Sequence, residues 1–123
     1  MNTYKITYEN GREFTYAQLS AEQKVYLRNI QPEASFVSEA TVSFIRGLLN
    51  VERLSDDELT YVRNSVVHFF AEIAELSRTE AELESKKGLK AKELMKEGYD
   101  AMTRMSMVTA VIDHEKWNRG LAV

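Results

Sequence analysis

No cysteine occurs in the chain. Disulfides, thiolate metal ligands, iron–sulfur clusters and thiol nucleophiles are excluded together, and a reducing compartment permits such a composition. A cytoplasmic location is the expectation. Histidine is nearly as scarce: His68 and His114 stand far apart and neither has a second histidine three or four positions on, so the helical zinc pattern is missing. No serine sits in a nucleophile-elbow pattern, and the five glycines form no phosphate-binding loop. The protein is therefore expected not to be an enzyme, and no metal or cofactor is implied. No apolar run approaches the roughly 20 residues that cross a bilayer, and the first residues alternate polar with apolar instead of leading from a basic segment into an apolar one. Neither a membrane span nor a leader is expected. An excess of one charge is also lacking. Charged residues make up 28% of the chain while the formal net charge is only -3, so nucleic acid is an unfavoured partner.

What the chain does have is helical periodicity. From Ser55 to Leu76 the apolar residues Leu59, Val62, Val66, Phe69, Ile73 and Leu76 recur at alternating steps of three and four, the spacing of one helical face. Ser55-Asp56-Asp57-Glu58 starts this helix with a capping serine, a glutamate that can return the bond, and carboxylates beside the positive end of the helix dipole. Ser77 to Lys87 is nearly all polar and is expected to project into water. Lys86-Lys87-Gly88 reads as a helix stop. A second periodic stretch follows, with Ala91, Leu94, Gly98, Ala101, Met105, Val108 and Ile112 on one face and Met95, Tyr99 and Met102 widening it. Gly98 and Ala101 would let the facing helix come close, and Asn118-Arg119-Gly120 should end the stretch just past Trp117. Residues 55–118 are thus predicted to form a long antiparallel helical hairpin that turns at Gly88 and carries the core.

Everything earlier reads as cover for that pair. Tyr4 to Tyr8 alternates, Phe14 to Tyr16 alternates again, and Glu9-Asn10-Gly11 lies between them, so residues 1–17 are predicted as a β-hairpin. A two-residue Asn10-Gly11 loop would put Ile6 and Phe14 on opposite faces. A three-residue loop with Gly11 left-handed pairs Ile6 with Phe14 and Tyr4 with Tyr16 on one face, and this register is chosen because it leaves Lys5, Thr7, Glu13 and Thr15 together on the wet side. A lone hairpin is marginal in water, so it must lie on helices, extend a partner's sheet or pair with its own copy. Residues 20–50 are predicted as two short helices. Ser20-Ala21-Glu22-Gln23 has capping-box form and begins one that buries Val25 or Tyr26 with Leu27 and Ile30, stopping near Ile30 because Pro32 disfavours helix before it. Glu33 to Leu49 is the other, with Val37, Ala40, Phe44, Ile45, Leu48 and Leu49 as its stripe. Burying Phe44 and Leu48 at roughly 2 kcal/mol each outweighs the weak helix propensity of Thr41-Val42-Ser43. Asn50 should end it, and Val51 to Leu54 form a short link. Residues 1–123 together make one domain of mostly helical α+β class.

Among candidate functional residues the arginines carry the sharpest hypothesis. Pairing about Gly88 brings Arg63 near Asp113 and Arg104 near Glu72, which would make two ordinary bridges worth under about 1 kcal/mol each if exposed. The alternative is that Arg63 or Arg104, with Tyr61, Asn64 or Tyr99, lines a pocket for an anionic small molecule or nucleotide between subunits. Lys86, Lys87, Lys90, Lys92 and Lys96 form the densest basic patch, next to Glu80, Glu82 and Glu84. That patch is either a solvated helix end, with Glu82 paired to Lys86, or a dipolar tip that docks a partner. Asp113-His114-Glu115 is the one compact titratable trio, but helical neighbours point about 100° apart, so a solvated last turn is expected. His68, beside Phe69 and Phe70, is expected to pack or to bond the neighbouring helix. Val67, Phe70, Tyr99, Trp117, Tyr4, Tyr8 and Tyr16 exceed what one such core readily hides, and surplus aromatics mark interfaces, so a homo-oligomer is expected.

The small size, missing cysteine and hairpin ahead of a helical pair resemble, in build and through no residue motif, the small accessory or inhibitor proteins that phages encode. The resemblance implies a protein that binds and blocks a partner protein. The sequence therefore points to a non-catalytic oligomeric binding protein of that kind, with a sequesterer of an anionic ligand as the alternative.

Overall fold

The computed structural model describes residues 1–33, 36–87 and 90–121, with the backbone alone at Lys86 and Lys87. In chain order it runs β1 (Thr3–Thr7), β2 (Glu13–Ala17), α1 (Ala21–Arg28), α2 (Glu39–Leu49), a short 3-10 turn over Val51–Arg53, α3 (Asp56–Lys87) and α4 (Ala91–Asn118). Mostly helical α+β architecture is as expected, and no helix of the described residues is long and apolar enough to cross a membrane. The turn expected at Gly88 lies outside the described residues.

β1 and β2 pair antiparallel with Tyr4 opposite Tyr16 and Ile6 opposite Phe14. Gly11 sits at φ 81°, its N–H donates to the Tyr8 carbonyl at 2.9 Å, and the Tyr8 N–H donates to the Arg12 carbonyl at 2.7 Å. The loop is therefore Glu9-Asn10-Gly11, with glycine in the conformation only it takes without cost. Of the possible supports the hairpin uses α3. Asn64 Nδ2 donates to the Thr15 carbonyl at 2.7 Å, Ser65 Oγ donates to the Ala17 carbonyl, and the Tyr16 ring stacks on His68 with centroids 5.8 Å apart.

The Ser20 capping box forms as read: Gln23 N–H donates to Ser20 Oγ at 3.0 Å and Ser20 N–H to Gln23 Oε1 at 2.9 Å. Gln23 Nε2 then reaches the Leu48 carbonyl, tying α1 to α2. Leu27 and Ile30 are buried, but the helix ends at Arg28, and Val25 and Tyr26 both face solvent. The eight-residue helix touches the core through Leu27 alone, and Ile30 anchors the chain just past its end. The second helix begins at Glu39, not Glu33. The Glu33 carboxylate accepts from the Ser38 N–H at 2.7 Å and from the hydroxyls of Ser38 and Thr41 at 2.9 Å each, which holds an extended entry and makes Ser38 the cap. Ile45 and Leu49 bury while Phe44 stays 45% exposed, resting edge-on against Tyr26. Asn50 ends α2 in the left-handed region at φ 53°.

The α3 start matches its reading, with Glu58 N–H donating to Ser55 Oγ at 3.1 Å and Ser55 N–H to Glu58 Oε1 at 2.8 Å. Its stripe is corrected past Val66. Phe70, expected as surplus, is fully buried, Phe69 is half-buried, and Leu76 is 63% exposed. The helix is covered on two sides, by α4 and by the hairpin, so its buried arc is wider than one face, and the α4 seam advances through Leu59, Val62, Val66 and Phe70. The stretch from Ser77 does not simply project into water, because Ser77 and Ala81 are buried. Opposite them Gly98 allows the close approach foreseen: a Cβ built there would lie 3.5 Å from both the Ala74 carbonyl and Ser77 Cβ. On α4, Ala101, Met107, Val108, Val111 and Ile112 are buried, whereas Met95, Tyr99 and Met102 widen nothing and face outward. Gly120, at φ 76°, follows the helix end.

Candidate functional site

A concave surface rich in binding groups is the groove where the hairpin crosses α3. It encloses about 400 Å³ and is lined by Tyr8, Arg12, Glu13, Phe14, Arg63, Asn64, Val67, His68 and Ala71. Strand alternation puts Tyr8, Phe14 and Tyr16 on one face, where Tyr8 stacks on Phe14 at 5.3 Å and Phe14 leans on Tyr16 at 6.1 Å. Arg12 stands opposite Tyr8 across the loop. Among the described residues no hydrogen bond or ion pair holds its guanidinium.

On the α3 wall Arg63 donates from Nε to Asp113 Oδ1 at 2.7 Å and from Nη2 to Asp113 Oδ2 at 3.1 Å. The bond to Asp113 raises the guanidinium pKa above its ordinary value, against the opposing pull of burial. Nη1 remains to donate elsewhere, since a guanidinium carries five N–H groups. Asn64 spends Nδ2 on Thr15 and keeps its carbonyl oxygen. The His68 ring lies on Tyr16, with Nε2 3.8 Å from Glu72 Oε1. Such a wall offers aromatic faces, one uncommitted cation and several hydrogen-bonding groups, and Glu13 is its one carboxylate.

The structure brings Arg63 and Asn64 together here but separates the other three residues predicted with them. Tyr61 packs on the core one turn earlier, and Tyr99 is 72% exposed on the outer side of α4, beside Phe36. Arg104 does not pair with Glu72. Its Nε donates to the Ile30 carbonyl at 2.6 Å, pinning the end of the α1 segment to α4. Of the basic tip, Lys86 and Lys87 have no described side chains, Lys92 is exposed, and Lys96 donates to Asp100 at 2.7 Å. Glu82 bonds Arg78 at 2.8 Å. Lys90 borders a separate depression between α3 and α4.

The trio at the end of α4 is not a solvated turn. Asp113 belongs to Arg63, while Glu115 Oε1 accepts from Arg46 Nη2 at 2.7 Å and Oε2 from Arg119 Nε at 2.9 Å. Arg119 also donates to the Leu54 and Val51 carbonyls at 2.7 and 3.1 Å, so the network locks the link after α2 to the base of the helical pair. Bonds from Arg46 and then Arg119 hold the Glu115 carboxyl below its ordinary 4.5. Only His114 of the three is exposed. Among the described residues no group of three or more histidine, aspartate and glutamate side chains is placed to hold a metal ion.

Tyr8, Arg12, Phe14 and His68 were not singled out by the sequence as ligand groups, because they meet only when the hairpin lies across α3. No protein-family model, curated protein or solved structure matches this chain.

Proposed function

We propose that the chain is a non-catalytic binding protein whose site is the groove between hairpin and α3, and that it sequesters a small planar anion of the nucleotide class. One observation carries the reading: the guanidinium of Arg12, without a partner among the described residues, stands on the same hairpin face as stacked aromatics, in a groove it shares with Arg63, Asn64 and His68. Ring stacking on an aromatic contributes roughly 1–3 kcal/mol and arginine supplies the anion contact. The titratable groups elsewhere support a binding role over chemistry, since Asp113 is engaged by Arg63 and Glu115 by Arg46 and Arg119.

Native mass spectrometry of the full chain purified from cells tests this, followed by titration with adenosine monophosphate and a cyclic dinucleotide as probes. Retained mass that vanishes on denaturation, and that Arg12→Ala or Tyr8→Ala abolishes with the fold intact, is the expected result. A chain that carries no adduct and binds neither probe ends the reading.

A second reading is favoured by a different observation. Met95, Tyr99 and Met102 lie along the outer side of α4 at 63%, 72% and 42% exposure, with Phe36 at 79% beside Tyr99. Aromatics and methionines in that arrangement suit the docking and blocking of a partner protein. Affinity capture from a lysate that Tyr99→Glu abolishes and Arg12→Ala leaves intact would favour it over ligand storage.

A further inference from the structure

A second, smaller cavity adjoins the groove at His68, whose ring lines both. It encloses about 100 Å³, the room of a single flat ring system, and Tyr4, Tyr16, Leu19, Phe69 and Lys24 are among its walls. The two hollows lie along one ladder of rings. Tyr8 stacks on Phe14 at 5.3 Å, Phe14 leans on Tyr16 at 6.1 Å, and Tyr16 stacks on Tyr4 at 5.4 Å and on His68 at 5.8 Å. Alternate residues of a strand repeat about every 6.7 Å, roughly twice the ~3.4 Å step between stacked bases. A ladder so spaced suits two bases splayed apart, each on its own aromatic pair.

The polar groups of the smaller cavity suit a base edge. The Tyr4 hydroxyl donates to Gln18 Oε1 at 3.1 Å, and the amide hydrogens of Gln18 have no partner among the described residues. Glu72 lines the same cavity with a carboxylate, 3.8 Å from His68 Nε2. One group donates and the other accepts, a combination that a base satisfies and an apolar ring leaves unused. Lys24 is exposed and has no ion pair among the described residues, so it supplies a cation at this end as Arg12 does in the groove. Glu22 lies about 200° around α1 from Lys24, and Glu13 in the groove is bridged by Lys5 at 3.6 Å. We infer that the anion held here is a dinucleotide, one base on Tyr8 and Phe14 and the other in the cavity beside Tyr4, joined past His68. The inference rests on the nucleotide reading of the groove and fixes the size of its ligand.

Isothermal titration calorimetry of the full chain, with far-UV circular dichroism as the folding control, tests the inference with three probes: adenosine 5′-monophosphate, adenosine 3′,5′-bisphosphate and the 5′-phosphorylated dinucleotide pApA. The bisphosphate adds the linking phosphate without a second base. The dinucleotide should bind at least about tenfold more tightly than either mononucleotide, the gain of one further stacked base. Tyr4→Ala should remove that advantage and leave monophosphate affinity within about twofold. Should Tyr4→Ala loosen the hairpin, Lys24→Glu on α1 leaves the strands untouched and should cut dinucleotide affinity by about fivefold or more with the same indifference to the monophosphate. A monophosphate that binds as well as the dinucleotide, or a bisphosphate that matches it, overturns the inference and leaves the nucleotide reading standing. So do variants that weaken all three probes alike. Affinity that climbs about tenfold again with a third nucleotide overturns it too, in favour of a surface that tracks a longer single strand. Failure of all three probes to bind removes the inference and the nucleotide reading together.

Discussion

Arg63 on α3 grips Asp113 on α4 through two parallel bonds, 2.7 Å at Nε and 3.1 Å at Nη2. The fork is geometrically demanding, and both side chains are partly shielded, at 35% and 24% exposure. The pair should therefore exceed the median surface bridge yet fall short of a buried one. A double-mutant cycle of Arg63→Ala and Asp113→Ala by urea denaturation should return a coupling of about 1 kcal/mol. Arg63→Lys should lose most of that coupling, because an ammonium cannot fork. A coupling of zero would show that the fork adds nothing to the packing of α3 on α4.

The network at the base gives the fold an acid sensitivity of predictable sign. The Glu115 carboxyl is held below 4.5 by Arg46 and Arg119, so the folded state binds its proton less readily than the unfolded chain does. Its contribution is complete above about pH 5 and is lost as pH falls through 4.5 toward the lowered folded value. Thermal melts between pH 7 and 3 should fall more steeply for wild type than for Glu115→Gln. At pH 7 the variant should be destabilised by about 1–2 kcal/mol, since its amide accepts only one of the two arginine bonds well. Parallel pH profiles for the two proteins would contradict this account.

Gly98 separates helix propensity from helix spacing. A methyl there would meet the Ala74 carbonyl and Ser77 Cβ at 3.5 Å, ordinary contact distance. Gly98→Ala should thus fit and raise stability by about 0.5–1 kcal/mol through the helix propensity of alanine. Gly98→Leu has no such space and should cost about 2 kcal/mol or more by wedging α3 from α4. Calorimetric melting of the two variants checks both signs.

The parts legible in the sequence were those set by local chemistry. Ser20 and Ser55 announced their caps, Gly11 set the loop and through it the Ile6–Phe14 register, and Asn50 and Gly120 marked helix ends. Gly98 and Ala101 also revealed the close helix contact, because a small residue on an apolar face has few other uses. Misreadings arose where tertiary context decides. Periodicity could not distinguish Phe69 from Phe70 on a helix covered from two sides, nor show that Glu33 spends its carboxylate on Ser38 and so delays α2. Arg104 was assigned a charged partner because carboxylates are visible in a sequence, whereas the carbonyl it actually holds, that of Ile30, is invisible there. The groove was half visible: Arg63 and Asn64 were named, while Arg12 and His68 needed the hairpin laid across α3.

That crossing depends on Ser65, which is 5% exposed and donates to the Ala17 carbonyl as well as approaching the Tyr61 carbonyl at 3.0 Å. Ser65→Ala leaves the Ala17 carbonyl without its donor in a buried setting, at a cost of about 1–2 kcal/mol. The effect should be local. Hydrogen exchange at the amides of β1 and β2 should quicken by about tenfold, while those around Val66, Phe70, Val108 and Ile112 keep their protection, because the hairpin opens as its own unit. Since the hairpin is one wall of the groove, the same variant should also weaken retention of the ligand proposed above. Uniform loss of protection across α3 and α4 would instead mean that hairpin and helical pair unfold together, and that Ser65 belongs to the core.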